Sequence, residues 1–114
     1  MLWMLALGGA ALLELPLKEI FQRPSLGGHP GYSFPSGHAM VAVAVLAAVA
    51  LTCPVRCRKF VVAAGVPVII VYGAALVYQY WHYPSDVVGG WCIALAWVTL
   101  VWLALRRGAR EYSG

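Results

Sequence analysis

Two long apolar runs without charge most constrain what this chain can fold into. Residues 60–81 and 87–105 contain no Asp, Glu, Lys or Arg, and each run is long enough to cross a bilayer as a helix. Over the whole chain only 11% of residues are charged, against about 25% in an average soluble domain. The sequence therefore predicts an all-α integral membrane protein.

Two shorter apolar stretches complete the pattern. Residues 39–53 are unbroken, but as a helix they reach only roughly 22 Å, so their His38 end is expected near or below the membrane interface. Residues 2–17 are interrupted by Glu14 and Pro16 and could form a signal peptide, but they lack a basic leading region, so we interpret them as a retained helix. Glu14 and Lys18 are four residues apart, a spacing that suits a helical ion pair, so we expect this helix to continue to about Gln22. We expect one membrane domain, residues 1–114, built as a bundle of about four transmembrane helices.

The positive charges predict the orientation of this bundle. Six of the eight Lys and Arg residues follow the second and fourth apolar stretches, namely Arg56, Arg58, Lys59, Arg106, Arg107 and Arg110. Antiparallel helices put both clusters on one side, which the positive-inside rule assigns to the cytoplasm. The net charge of +4 is thus explained without a nucleic-acid partner. Residues 18–38 and 82–86 are expected on the extracytoplasmic face of a cell membrane, and the short loops favour a bacterial inner membrane.

Two polar segments on that face combine groups suited to phosphate chemistry. Ser36, Gly37 and His38 supply a hydroxyl, a flexible backbone amide and an imidazole at the start of an apolar helix. The zigzag of the next two helices returns the chain to the same face at His82 and Asp86. A carboxylate bound to one ring nitrogen of a histidine leaves the other nitrogen able to attack. The pattern therefore predicts a nucleophilic His82 that is oriented by Asp86.

Phosphoryl transfer to such a histidine requires further groups. Ser36 and the Gly37 amide can donate to the phosphoryl oxygens, and His38 can protonate the leaving oxygen. Lys18 and Arg23 can supply positive charge, although both could equally be residues that flank a membrane helix.

Taken alone, the His82 segment has a simpler interpretation. It could be an interfacial aromatic turn in which Pro84 and Ser85 start a helix and Asp86 favours its positive end.

Three ordered motifs resemble those of the type 2 phosphatidic acid phosphatase superfamily of membrane lipid phosphatases. They are Lys18-Glu-Ile-Phe-Gln-Arg23-Pro24, Pro35-Ser36-Gly37-His38 and His82-Tyr-Pro-Ser-Asp86. The resemblance implies that His82 forms a phosphohistidine, that Asp86 orients it and that His38 protonates the leaving group. By the same resemblance the phosphate is held by Lys18, Ser36 and Gly37. It also implies no metal or cofactor, and a lipid substrate such as an isoprenoid diphosphate (undecaprenyl diphosphate, for example) or phosphatidate.

The chain departs from the pattern of that family in three respects. Arg23-Pro24 lies two positions early in the first motif, and Ala75 and Leu76 replace the Ser-Arg pair that usually opens the third. Typical membrane members of that family have six helices, and the chain resembles only the last four. A second copy or a partner could supply the other two, or the sequence could be a fragment. A catalytically impaired relative that binds a lipid phosphate, or acts as a structural partner in the membrane, is therefore the alternative.

Overall fold

A computed structural model describes residues 1–24, 31–79 and 82–113, and in these ranges the chain is helical, without a β-sheet. Its helices are α1 (Leu2–Phe21), α2 (Gly37–Thr52), α3 (Arg58–Tyr78) and α4 (Pro84–Ser113). The prediction of an all-α protein is confirmed. Two parts of the predicted pattern lie outside the described residues. They are residues 80–81, at the end of the third apolar stretch, and residues 25–30, between the first two helices.

Helix α4 is longer than the sequence predicts. The apolar stretch ends at residue 105, but the helix begins at Pro84 and continues to Ser113, so the second basic cluster lies on the helix and not after it. Proline is favoured in a first helical turn, and the Arg, Ala and Glu residues beyond the apolar stretch are good helix formers. The hydrophobic pattern predicts only the apolar part of α4, and residues of high helix propensity extend the helix beyond it.

Two helices are long and apolar enough to cross a membrane among the residues that the structure describes. They are Val55–Tyr78, which joins a short 3-10 turn to α3, and Pro84–Glu111 in α4. Helix α2 has 16 residues and extends only about 24 Å, and α1 carries Glu14, Lys18 and Glu19. The length and composition of the two long helices are those that a membrane-spanning helix requires, and a count of four spanning helices stays a prediction.

Helix α2 lies at the centre of the bundle, where it packs against α1, α3 and α4. The core between α1, α2 and α4 is made mainly of small side chains. Its buried members are Ala6, Ala10, Met40, Val43, Ala44, Ala94 and Val98. Small residues allow helix backbones to approach closely, which is how helices associate when lipid removes the hydrophobic driving force.

The N-terminal ends of α2 and α4 are in direct contact. A Cβ atom at Gly90 would lie 2.8 Å from the backbone oxygen of Ser36 and 3.3 Å from the Cβ of Ala39, so only glycine permits this approach. The Ser36 N–H also donates to the Asp86 carbonyl at 3.1 Å. Because both helices start here and run the same way, the two basic clusters lie at the opposite end of the bundle.

Candidate active site

Ser36 and Gly37 form the start of helix α2. The Ser36 side chain is buried, and its Oγ accepts a hydrogen bond of 3.2 Å from the Ala39 N–H, which caps the helix. A serine hydroxyl that accepts in this way can still donate its own proton. His38 follows on the first turn with its side chain exposed. This end of α2 therefore presents a positive helix terminus, a hydroxyl and an imidazole.

His82 is buried just before helix α4, with 8% of its surface exposed. Its Nδ1 lies 3.1 Å from the backbone oxygen of Ser33 and 3.6 Å from Oδ2 of Asp86. Because a carbonyl oxygen can only accept, Nδ1 carries the proton and Nε2 carries the lone pair. The ring is thereby held in the tautomer that a nucleophile at Nε2 requires.

Asp86 connects His82 to the start of α4. The carboxylate is fully buried, and its Oδ2 accepts a hydrogen bond of 2.8 Å from the Tyr83 N–H. Such a bond from a first-turn carboxylate back to the residue before the helix is half of a capping box. The other oxygen, Oδ1, accepts from Nη1 of Arg23 at 2.7 Å. Asp86 thus starts the helix, as the simpler interpretation holds, and also lies beside the imidazole.

Arg23 is fixed against the start of α4. Its Nη1 donates to Ser85 Oγ at 2.5 Å as well as to Asp86. The guanidinium lies 5.0 Å from the centroid of the Phe34 ring and 5.8 Å from that of Tyr83, within the range of a cation–π interaction. The first predicted motif therefore contacts the third one directly.

Lys18 lies in a second group of residues, which surrounds the start of α2. Its Nζ donates to the Tyr32 carbonyl at 2.9 Å and lies 3.4 Å from Oε1 of Glu14. Glu14, Gly37 and His38 line a cavity of about 370 Å³ that extends along α2 to Tyr72. Neither His82 nor Asp86 is among its lining residues. The predicted site residues thus form two groups, which the Ser36–Asp86 backbone hydrogen bond joins.

The Ser33 carbonyl is a functional group that the sequence did not indicate. Ser33 is buried, its N–H donates to the Arg23 carbonyl at 2.9 Å, and its own carbonyl oxygen lies 3.1 Å from His82 Nδ1. A backbone carbonyl exists at every position, so no residue pattern could have marked this one. The only available signal was the position of Ser33, two residues before the Pro35-Ser36-Gly37-His38 motif.

The position of the missing third-motif arginine is part of the apolar core. Leu76 is 8% exposed and packs with Ala39 of α2 and Val87 of α4. An arginine there would have to replace these contacts. Among the described residues no three His, Cys, Asp or Glu side chains cluster as a metal ion would require, and independence from metal remains a prediction.

Burial lowers the pKa of His82 below its ordinary value of 6.5, and the Asp86 charge offsets part of this effect. Between pH 6.5 and the lower pKa of the folded state, the unfolded chain binds more protons than the folded one. We therefore expect the free energy of unfolding to fall as the pH is lowered through this interval. Thermal unfolding in detergent should show a smaller decrease for His82→Gln than for the wild type. Equal decreases would mean that the folded state does not disfavour the charged ring.

A comparison with known protein families matches residues 1–110 to the PAP2 superfamily. The chain belongs to the PAP2 superfamily. This family is the one that the three sequence motifs predicted, so that prediction is confirmed.

The fold of this PAP2 chain is similar to that of a solved relative. A crystal structure of a transmembrane PAP2-type phosphatidylglycerolphosphate phosphatase from Bacillus subtilis matches it with a TM-score of 0.80 and 29% sequence identity. The match covers 93% of this chain and 58% of the other. A comparison with curated proteins found no significant match. The chain therefore corresponds to little more than half of the solved phosphatase.

Proposed function

We propose that this PAP2 chain is a lipid phosphatase that works through a phosphohistidine at His82. The observation that carries the proposal is the hydrogen bond between His82 Nδ1 and the Ser33 carbonyl, which leaves the Nε2 lone pair available for attack. The lowered pKa of His82 supports the same role, because the neutral ring is the nucleophilic form. Membership of a phosphatase family and the match to a solved lipid phosphatase support the reaction class.

The proposed reaction has two steps. Nε2 of His82 attacks the phosphorus while the bond to the lipid oxygen breaks, and His38 gives its proton to that oxygen. His38 then takes a proton from a water molecule, whose oxygen attacks the phosphorus and breaks the phosphorus–nitrogen bond. Inorganic phosphate leaves, and both histidines return to their initial states.

The other polar groups stabilise charge in both steps. Ser36 and the Gly37 amide donate to the phosphoryl oxygens at the positive end of α2, and Lys18 supplies positive charge. Asp86 balances the positive charge that develops on the His82 ring when Nε2 forms its bond. Arg23 both fixes Asp86 and contributes positive charge beside the phosphate.

The substrate class is proposed from the membrane setting and from the relative. A phosphomonoester or diphosphate of a lipid, of the isoprenoid diphosphate or phosphatidate type, would place its headgroup at the polar end of the bundle. Phosphatidylglycerolphosphate is to be tested together with these lipids, because the solved relative is named for it. A second copy of this chain, or a partner, is proposed to cover the side that the remaining part of the relative would occupy.

The alternative is an impaired relative that binds a lipid phosphate without turning it over. Leu76 favours it, because an apolar core side chain stands where the family places a phosphate-binding arginine. Removing one transition-state donor typically lowers a rate by about a hundredfold to a thousandfold.

Phosphate release by the purified chain separates the two functions. The chain in detergent is assayed with the lipid panel in the presence of a metal chelator. The phosphatase proposal predicts release of inorganic phosphate from at least one lipid, undiminished by the chelator. Binding of a lipid phosphate without any release would favour the impaired relative.

We also propose that the active site faces the extracytoplasmic side. The basic residues at the far ends of α2 and α4 support this orientation. A cysteine placed at the exposed Gln79, in a variant without the natural cysteines, should react with a membrane-impermeant maleimide in intact cells. A cysteine kept only at position 57, near the basic end, should react after the cells are opened. The reverse result would place the site in the cytoplasm.

A further inference from the structure

Glu14 lies at the start of α2, beside groups that are proposed to bind the phosphate. A methyl group added at Gly37 would overlap the Glu14 carboxylate, so this carboxylate rests on the first residue of α2. Its Oε1 lies 3.4 Å from Lys18 Nζ, and it lines the same cavity as His38. Two groups proposed to bind the phosphate, Lys18 and Gly37, therefore already lie against a carboxylate.

We propose that Glu14 is an internal competitor of the substrate phosphate. Its carboxylate competes for Lys18 and for the positive end of α2, so a phosphate binds there only by displacing it. This inference rests on the proposed phosphatase function and assigns to Glu14 a part in setting the affinity for phosphate.

The contacts of Glu14 are of the kind that a phosphate can replace. The ion pair with Lys18 joins two side chains that are 28% and 19% exposed, and partly exposed pairs of this type are weak. A phosphate brings more charge and more acceptor oxygens to the same donors. Lys18 would stay in place during the exchange, because its Nζ is also bound to the Tyr32 carbonyl at 2.9 Å.

The same competition acts on the product. Inorganic phosphate lacks the lipid tail that adds to the binding of the substrate, so the returning carboxylate displaces it more easily. Glu14 would thus weaken product inhibition at the cost of a higher KM.

The test compares two variants that remove the same charge from the same helix. Glu14→Gln keeps the shape of the side chain, and Glu19→Gln is the matched control because Glu19 is exposed. Binding of inorganic phosphate is measured by calorimetry in detergent, and KM and kcat are measured with the best lipid of the panel. We expect Glu14→Gln to bind phosphate about tenfold more tightly than the wild type. Its KM should fall by a similar factor without an increase in kcat, and Glu19→Gln should resemble the wild type.

Equal or weaker phosphate binding by Glu14→Gln would overturn the inference. Failure of phosphate to bind to any variant would overturn it too, because the start of α2 would then not be an anion site. If the wild type hydrolyses no lipid phosphate, the proposed function fails. The calorimetric comparison does not require turnover, so it still decides the role of Glu14.

Discussion

Replacing His82 with alanine should abolish the release of phosphate from every lipid that the wild-type chain hydrolyses. The proposed reaction forms its only covalent bond to the protein at Nε2 of His82, so the variant has no nucleophile. Loss of a catalytic nucleophile lowers kcat by about a millionfold in well-studied hydrolases, and we expect a decrease of at least about a thousandfold here. Initial rates of phosphate release in detergent measure the effect.

Gln79→Ala is a suitable control for this variant. Gln79 is exposed at the end of α3, close in the chain to His82 but outside both groups of site residues. Its rate should equal that of the wild type, and thermal unfolding should show that both variants remain folded. A folded His82→Ala protein that keeps more than about a tenth of the wild-type rate would exclude His82 as the nucleophile.

Replacing Asp86 with asparagine should have the second-largest effect. Asparagine keeps the shape of the side chain but removes the charge, and its NH₂ group cannot accept from Tyr83 N–H or from Arg23 Nη1. The positive charge that develops on the His82 ring during the attack is then no longer balanced by a carboxylate. In a catalytic triad the equivalent change lowers kcat by about ten-thousandfold, and we expect about a hundredfold to ten-thousandfold here, because the Ser33 carbonyl also orients His82.

The same substitution should destabilise the fold. One buried hydrogen bond of Asp86 is lost whichever way the asparagine amide is turned, so the free energy of unfolding should fall by about 1–3 kcal/mol. Ser85→Ala is the matched control, because it removes the hydrogen bond from Arg23 Nη1 to Ser85 Oγ and leaves Asp86 intact. It should keep the rate within about threefold, as expected for the loss of an exposed contact. A fully active Asp86→Asn protein would mean that Ser33 alone orients His82.

Several elements could be predicted from the sequence because they depend on local patterns. Apolar stretches placed the four helices, and the Glu14–Lys18 spacing predicted that α1 continues past residue 17, as it does to Phe21. The reversal of the chain between α2 and α3 predicted that the His38 and His82 segments lie at one end of the bundle. The structure places them there, on the adjoining starts of α2 and α4.

The remaining features depend on tertiary contacts that a linear pattern does not contain. The sequence assigned Arg23 to the phosphate, whereas the structure also binds it to Asp86 and Ser85 across the bundle. Glu14 was predicted only as a helical partner of Lys18, because its contact with Gly37 requires the packing of α1 on α2.

Trapping of the covalent intermediate is the most direct test of a phosphohistidine at His82. The chain is mixed with its best lipid substrate labelled with ³²P in the reacting phosphate, and the reaction is stopped in denaturant within a single turnover. We expect label on the protein that is stable in base and labile in acid, that maps to the peptide containing His82, and that is absent from His82→Ala. Rapid hydrolysis by the wild type without any labelled protein, together with undiminished hydrolysis by His82→Ala, would contradict it.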